Sequence, residues 1–251
     1  MEKRQLQADQ VNEMVRQIRR LLPRVGGKKL YSMIRHELQI KGIKMGRDLF
    51  FDHLRTHDLL IRPRKQYVVT TQSSHRFRIY NNLLLNRTLS GRDQAWVSDI
   101  TYLRTHQGFC YLALITDGWS RKIVGYDVSD SLELTGCLRA LSSALAHLPA
   151  KHQLIHHSDR GFQYCSYTYT DLLKHHNIKI SMAEKGNCYQ NAIAERVNGI
   201  LKNEFYLDNK FANLKQAKKA TKLAIELYNN YRPHLMLDYK TPDYVHFNYL
   251  K

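Results

Sequence analysis

Asp99, Asp159 and Glu195 are the side chains in this sequence whose types and placement point most directly to chemistry. Two-metal phosphoryl transfer needs carboxylates that hold two Mg²⁺ ions roughly 3.5 to 4 Å apart, one activating the attacking oxygen and one steadying the leaving oxygen. Such ligands must come from different elements that meet at one point. Asp99 falls in the middle of a first β-rich run, Asp159 just past a fourth, and Glu195 on a helix beginning near Gln190. Spacing by itself says little, because 22 acids in 251 residues make any one interval uninformative. Asp117 and Asp127 read as hairpin and strand-end residues, and Asp171 as solvated helix surface.

The elements that must position these acids are legible from periodicity. Gln94 to Arg104, Phe109 to Thr116 and Lys122 to Ser129 are β-rich, with short turns at His106-Gln107-Gly108 and Asp117-Gly118-Trp119-Ser120, which predicts a three-stranded antiparallel meander. Asp130 with Glu133 reads as a helix cap, opening a helix whose stripe is Leu134, Leu138, Leu141, Leu145 and Leu148. A short strand at Gln153 to His157, a helix at Tyr167 to His175 and a strand at Ile178 to Ser181 follow, and the chain reads as helical after about Gln190. Three antiparallel strands followed by alternating helices and strands imply an α/β domain with one mixed sheet of five strands, the order of ribonuclease H-like domains.

Upstream of this domain the texture differs. Val11, Met14, Val15, Ile18 and Leu22 lie at helical spacing over Ala8 to Leu22, and Pro23 stops the run. A second helix over about Lys29 to Leu38 carries Leu30, Ile34 and Leu38, and a third over about Arg47 to His57 buries Leu49, Phe50 and Leu54. Three short helices with glycine turns suggest a helix-turn-helix whose last helix enters the major groove. Charge supports that reading. The chain carries +17, and residues 1–92 hold 20 basic and 7 acidic side chains (net +13) against 19 and 15 (net +4) in 93–251. Such an excess calls for phosphate as a partner. Arg47 and Arg55 are the candidates for base edges, and Arg62, Arg64 and Lys65 for phosphates. The expected division is a helix-turn-helix domain over 1–69, a connector over 70–92 and a catalytic domain over 93–251.

Cys110, Cys137, Cys165 and Cys188 are 27, 28 and 23 residues apart and read as reduced core thiols. None of the 13 histidines is set with a cysteine pair as a zinc finger requires. There is no 18-residue apolar run and no signal-peptide pattern, so no membrane partner and a cytoplasmic, nucleoid-associated bacterial protein are expected. On the last helix, Asn191, Asn198 and Lys202 lie within about 60° of Glu195 at 100° per residue and could reach the scissile phosphate or flanking bases. Glu204 lands near 180°, among Ile193, Val197 and Ile200, and so cannot be the third carboxylate. His157 reads as a satisfied strand histidine.

The stretches around the three acids resemble a family. WVSDITYL around Asp99, HHSDRGFQY around Asp159, GNCYQNAIAERVNGILKNE around Glu195 and YNNYRPHLMLDYKTP near the C-terminus are similar to the insertion-sequence transposases of the IS-three group, the catalytic product of their second reading frame, which share the DDE core of retroviral integrases. The 35 residues between Asp159 and Glu195 match the spacing of that family. The resemblance implies a Mg²⁺-dependent enzyme, with Mn²⁺ as a substitute, that hydrolyses a strand at each element end and then uses the freed 3′ hydroxyl on another phosphodiester. It implies that Asp99 and Asp159 hold both ions and that Glu195 completes one shell. It also implies DNA ends and target as partners, a homo-oligomer on DNA, and an upstream-frame product or fusion, since no heptad run in this chain is long enough to be the zipper that frame supplies. Two other readings are a ribonuclease H-type or junction-resolving nuclease, which cuts without joining, and a DNA-binding regulator with a dead catalytic domain.

Overall fold

Three helices open the computed structural model, which describes residues 2–61, 76–184 and 191–248. α1 (Glu2–Leu21) buries Val11, Met14 and Val15, and Leu22 closes the same face before Pro23. α2 (Gly27–Ile40) buries Leu30, Ile34 and Leu38. Its first residue is glycine because a Cβ there would stand 2.8 Å from the ring of Phe51. α3 (Arg47–Thr56) departs from expectation at one position. Phe50 and Leu54 are buried, but Leu49 is 62% exposed. Phe50 and Leu54 are one turn apart and share a stripe, whereas Leu49 sits 100° away, and Phe51 fills the core edge in its place. Arg62, Arg64 and Lys65 lie outside the described residues, as does Cys188. Among the described residues, no helix is long and apolar enough to cross a membrane.

The meander forms as predicted. β1 (Ala95–Thr105) pairs antiparallel with β2 (Gly108–Asp117), and β2 with β3 (Ile123–Ser129). β4 (Ile155–Ser158) then joins the other edge of β1 in parallel, followed by β5 (Lys179–Met182), giving the order β3-β2-β1-β4-β5. A sixth strand was not expected: β6 (Lys210–Phe211) pairs with Arg104 and Thr105 of β1. β4 ends at Ser158 beside Ser98, so among the described residues no strand pairs with that edge of β1 between residues 98 and 104. That gap in the ladder is where a site can form.

α4 (Leu134–Leu145) crosses the sheet on a face centred on Leu141 of its leucine stripe and widened by small residues. Its buried face is Gly136, Cys137, Ala140, Leu141 and Ala144, with Leu134, Leu138, Leu145 and Leu148 at the margins. The helix lies so close to β3 that a Cβ on Gly125 would come within 2.4 Å of the Ala140 carbonyl, and only small side chains fit between. It also starts at Leu134, with Glu133 at the cap position but making no side-chain cap bond. α5 (Phe162–Cys165) and α6 (Tyr167–His175) complete that layer, and α7 (Ala192–Glu204), α8 (Leu214–Asn230) and α9 (Pro242–Asn248) follow. Residues 76–92 lie against the same layer: Leu83 N donates to Ser181 Oγ at 2.8 Å, and Phe77 packs on Phe162 and Tyr167.

The buried residues of α1, α2 and α3 belong to the same contiguous apolar cluster as Val197, Ile200 and Leu201 of α7 and Ala224, Ile225 and Tyr228 of α8. Lys29 of α2 reaches Glu204 at the end of α7 at 2.7 Å. Glu204 also receives Arg232, Nη2 to Oε1 at 2.7 Å and Nε to Oε2 at 2.9 Å. The N-terminal helices are thus docked on the helix that carries Glu195.

Candidate active site

The open edge of β1 carries Asp99, and the chain leaving β4 carries Asp159. Both line a cleft of about 330 Å³ with Tyr102, Glu133, Gly161 and Phe162 on its walls. Gly161 N donates to Asp159 Oδ1 at 2.9 Å, and a Cβ at Gly161 would stand 3.0 Å from that oxygen, so glycine keeps the carboxylate's space.

α7 brings the third acid. Asn191, Glu195, Asn198 and Lys202 fall on one side of it, as the helical wheel predicts. Two of the four are not open surface: Asn191 is 4% and Asn198 5% exposed. Asn191 Nδ2 donates to the Ser98 carbonyl at 3.2 Å, and Asn198 Nδ2 to Asp99 Oδ2 at 2.8 Å. The structure therefore places both amides against β1, where they fix the backbone before Asp99 and the Asp99 carboxylate itself. Lys202 is partly buried between Asp99 and Arg104. Its pKa is lowered, mainly by burial, with Asp99 opposing and Arg104 adding to that effect. Glu204 faces away, held by Arg232 and Lys29. Arg47 and Arg55 are exposed on α3, each paired with a carboxylate of its own helix, Asp48 and Asp52. Such pairs are worth under about 1 kcal/mol and exchange readily for another anion.

Behind the site the strands are pinned by buried polar groups. His156 Nε2 lies 2.7 Å from Ser98 Oγ and 3.0 Å from the Tyr169 hydroxyl, and burial pushes its pKa down to about 3. His157 Nδ1 meets Ser181 Oγ at 2.8 Å, a satisfied strand histidine. Asp117 is fully buried in its turn, accepting from Ser120 N and Oγ at 2.7 Å and from Asp93 N at 2.8 Å, and Asp127 is bound by Arg139. Cys110, Cys137 and Cys165 are buried and free.

The electrostatics of the three acids are those of a site short of positive charge. The Asp99 carboxyl is pushed up to about 7, first by burial and then by the Asp159 charge, with Glu195 adding and the Asn198 hydrogen bond opposing. Glu195 is also raised, by burial and by Asp159. Hard oxygen donors that repel one another suit a divalent cation of the Mg²⁺ or Mn²⁺ type. Asn198 Oδ1, buried and without a hydrogen-bond donor among the described residues, suits a hydrated one. Among the described residues, no three His, Cys, Asp or Glu side chains already converge closely enough to hold an ion. Glu195 stands in the first turn of α7, directly after residues 185–190, which are not described.

One consequence concerns stability without cation. The folded-state pKa of Asp99, about 7, lies above its unfolded value of about 3.9, so its contribution to stability declines as pH rises between those values. The full displacement would amount to about 4 kcal/mol, which solvent screening at this partly exposed site reduces to about 1–2 kcal/mol. Asp99→Asn is therefore expected to raise Tm by roughly 4 °C at pH 8 and by much less at pH 4. Equal shifts at both pH values in a thermal melt would exclude a raised Asp99.

Comparison with known proteins places this geometry. Residues 90–188 match an integrase core domain family, and residues 176–242 match a second integrase core domain family. The chain is 38% identical over 211 residues to the insertion element IS600 uncharacterized 31 kDa protein of Shigella sonnei, covering 82% of this chain and 76% of that protein. It is 34% identical over 200 residues to transposase InsF for insertion sequence IS3A of Escherichia coli strain K12, covering 79% and 69%. Among solved structures it is similar to the HTLV-2 integrase catalytic core domain in complex with magnesium, with a TM-score of 0.50 and 20% identity, over 62% of this chain and 97% of that one. It also resembles a chain of the simian T-cell lymphotropic virus intasome in complex with PP2A regulatory subunit B56 gamma, with a TM-score of 0.54 and 19% identity, over 88% of this chain and 74% of that one. At such identities the two structures bear on the fold.

Proposed function

This chain belongs to the IS3 family of insertion-sequence transposases, and from that premise we propose that Asp99, Asp159 and Glu195 are the catalytic carboxylates of a DNA transposase. The observation that carries the assignment is convergence: Asp99 of β1 and Asp159 at the end of β4 line one cleft, and the Asp159 charge raises the pKa of both Asp99 and Glu195, the latter in the first turn of α7. Two Mg²⁺ ions, or Mn²⁺, would be held by Asp99 and Asp159 together with Glu195, and when bound would polarise the scissile phosphate and neutralise charge on the attacking and leaving oxygens. The protein's own part is positional. Asn198 holds the Asp99 carboxylate, Asn191 holds the Ser98 backbone, and Gly161 leaves Asp159 unobstructed. In the first step water attacks the end phosphodiester, and the P–O bond to the element's 3′ oxygen breaks, leaving a 3′ hydroxyl. In the second that hydroxyl loses its proton and bonds to phosphorus in a second duplex, whose own 3′ oxygen leaves and is protonated.

Incubating the full chain with its element's end DNA, Mg²⁺ and a second duplex tests this. Joined products are expected; cleavage without joining would favour a nuclease, and neither would favour a DNA-binding regulator. The same reading has the chain acting as a homo-oligomer on DNA, alone or fused to an upstream-frame product.

Residues 1–69 are proposed to supply most of the affinity for element ends, residues 70–92 to connect, and residues 93–251 to supply the chemistry. The net charge of +13 in residues 1–92 and the exposed Arg47 and Arg55 support it. Because the N-terminal helices share a core with α7, the division is tested by substitution in the full chain. Arg55→Ala is expected to relax sequence preference. Lys65→Ala is expected to weaken all sequences alike and lower the salt slope by about one. A titration in which Arg55→Ala kept full sequence preference would remove Arg55 from the base contacts.

A further inference from the structure

Beyond the cleft, β1 and β2 continue as a ribbon whose surface has a specific composition. Ile100, Tyr102 and Arg104 of β1 share one face of the sheet with their register partners Ala113, Tyr111 and Phe109 of β2. α4 lies over the first pair, where Ala113 is buried and Ile100 packs into the core beneath that helix. At the last pair Arg104 is exposed and Phe109 is 58% exposed. The rings form a ladder: Tyr102 is 5.3 Å from Tyr111 and 5.8 Å from Phe109, centroid to centroid. Tyr102 also lines the cleft that holds Asp99 and Asp159, so the ladder begins at the site and runs outward. Two cations flank it, Arg104 and its register partner Lys210 of β6, both exposed.

We infer that this ladder is a stacking platform for an unpaired base of the DNA strand whose phosphate lies at Asp99 and Asp159. The inference rests on the transposase reading above and adds a binding site to it. Tyr102 and Tyr111 are half-buried and Phe109 exposed, and an aromatic surface that opens to solvent in this way marks an interaction surface. A π-face accepts any base, and neighbouring cations follow the backbone, the combination by which proteins hold single strands without reading sequence. The partner is taken to be nucleic acid because two cations beside the rings suit a polyanion, and because the surface is continuous with the cleft where a phosphodiester must lie. A base at the cut can leave its stack more easily than one inside a duplex, which would carry it towards Tyr102.

The test uses the full chain and a short oligothymidylate carrying one 5-iodouracil, irradiated in EDTA so that crosslinking is read without cleavage. The crosslinked peptide is expected to contain Tyr102, Phe109 or Tyr111. Phe109→Ala should lower affinity for the unmodified oligothymidylate roughly tenfold with an unchanged salt slope, and Phe109→Trp should restore it. Tyr111→Leu serves as the second variant, with Tm checked for both. Crosslinks confined to the Phe162 side of the cleft, or full affinity in Phe109→Ala, would overturn the inference. So would a variant that loses self-association but keeps its affinity, which would assign the face to a second copy of the chain. Metal-dependent end cleavage by the wild-type chain is measured in parallel. Cleavage without crosslinking to the ladder removes the platform alone, whereas crosslinking without cleavage supports the platform and counts against the catalytic reading.

Discussion

Asp99→Asn, Asp159→Asn and Glu195→Gln are each expected to reduce metal-dependent cleavage and joining by about three orders of magnitude or more while leaving affinity for end DNA near wild type. An amide keeps the size of the carboxyl but not the charge that a divalent ion requires, and ligand charge is a term of several kcal/mol in such sites. The three positions should not behave alike in the absence of cation. Asp99→Asn removes a charge that burial and the Asp159 carboxylate both disfavour, so the inactive protein becomes more stable at neutral and alkaline pH. Glu195, on the first turn of α7 and further from burial, should change stability less. Single-turnover cleavage with Mg²⁺ and again with Mn²⁺ measures the loss, and filter or gel binding in Ca²⁺ checks the affinity. Near wild-type turnover in any one amide would remove that residue from the metal site.

The second large effect falls on stability. Glu204→Gln is expected to lower Tm by about 10 °C, because it leaves two cations with 9% and 3% exposed side chains facing one another. Breaking a buried pair in this way costs about 3–5 kcal/mol. The two ends of the network differ in what they gain. Burial pushes the Glu204 carboxyl up, but Arg232 and Lys29 outweigh it and hold the pKa below the ordinary range. Lys29 is lowered, first by burial and then by Arg232, in spite of Glu204. One anion shared by two cations explains both directions. Lys29→Met should therefore cost less than Glu204→Gln, and adding Lys29→Met to Glu204→Gln should recover part of the loss. With the folded pKa of Glu204 below its unfolded value of about 4.3, its contribution is present above that value and is lost as pH falls through the folded one. Cleavage per folded molecule should survive in Glu204→Gln. A variant that folds normally and no longer cuts would make Glu204 part of the chemistry and displace Glu195.

How far the site was legible follows from the range of the interactions involved. Alternating β-rich runs and apolar stripes are local signals, and they located the meander, the three N-terminal helices, and Asp99 on a central strand with Asp159 at a strand end. The motifs around the acids identified the family. The helical wheel was enough to put Asn191, Asn198 and Lys202 on the side of Glu195 and Glu204 opposite, because α7 is regular through those positions. What that side faces was not local. Asn198 donates a hydrogen bond to Asp99 across 99 residues of sequence, and periodicity cannot distinguish an amide aimed at a neighbouring strand from one aimed at solvent.

The same limit explains the errors. Leu49 has the hydrophobicity of a core residue and yet is exposed, and Gly125 brings β3 so near α4 that Ala140 and Ala144 share the buried face with Leu141 while the other leucines of the stripe pack at its margins. β6 is two residues long and owes its existence to the unpaired edge of β1. The sequence by itself thus determined the elements and the family and singled out the three acids as candidates, because these are written in short patterns. The tertiary structure alone decided that α2 is clamped to α7 through Lys29 and Glu204, that three separated acids share one field, and that aromatic rings lead out from the cleft, because each depends on which distant surfaces come within hydrogen-bonding or van der Waals distance.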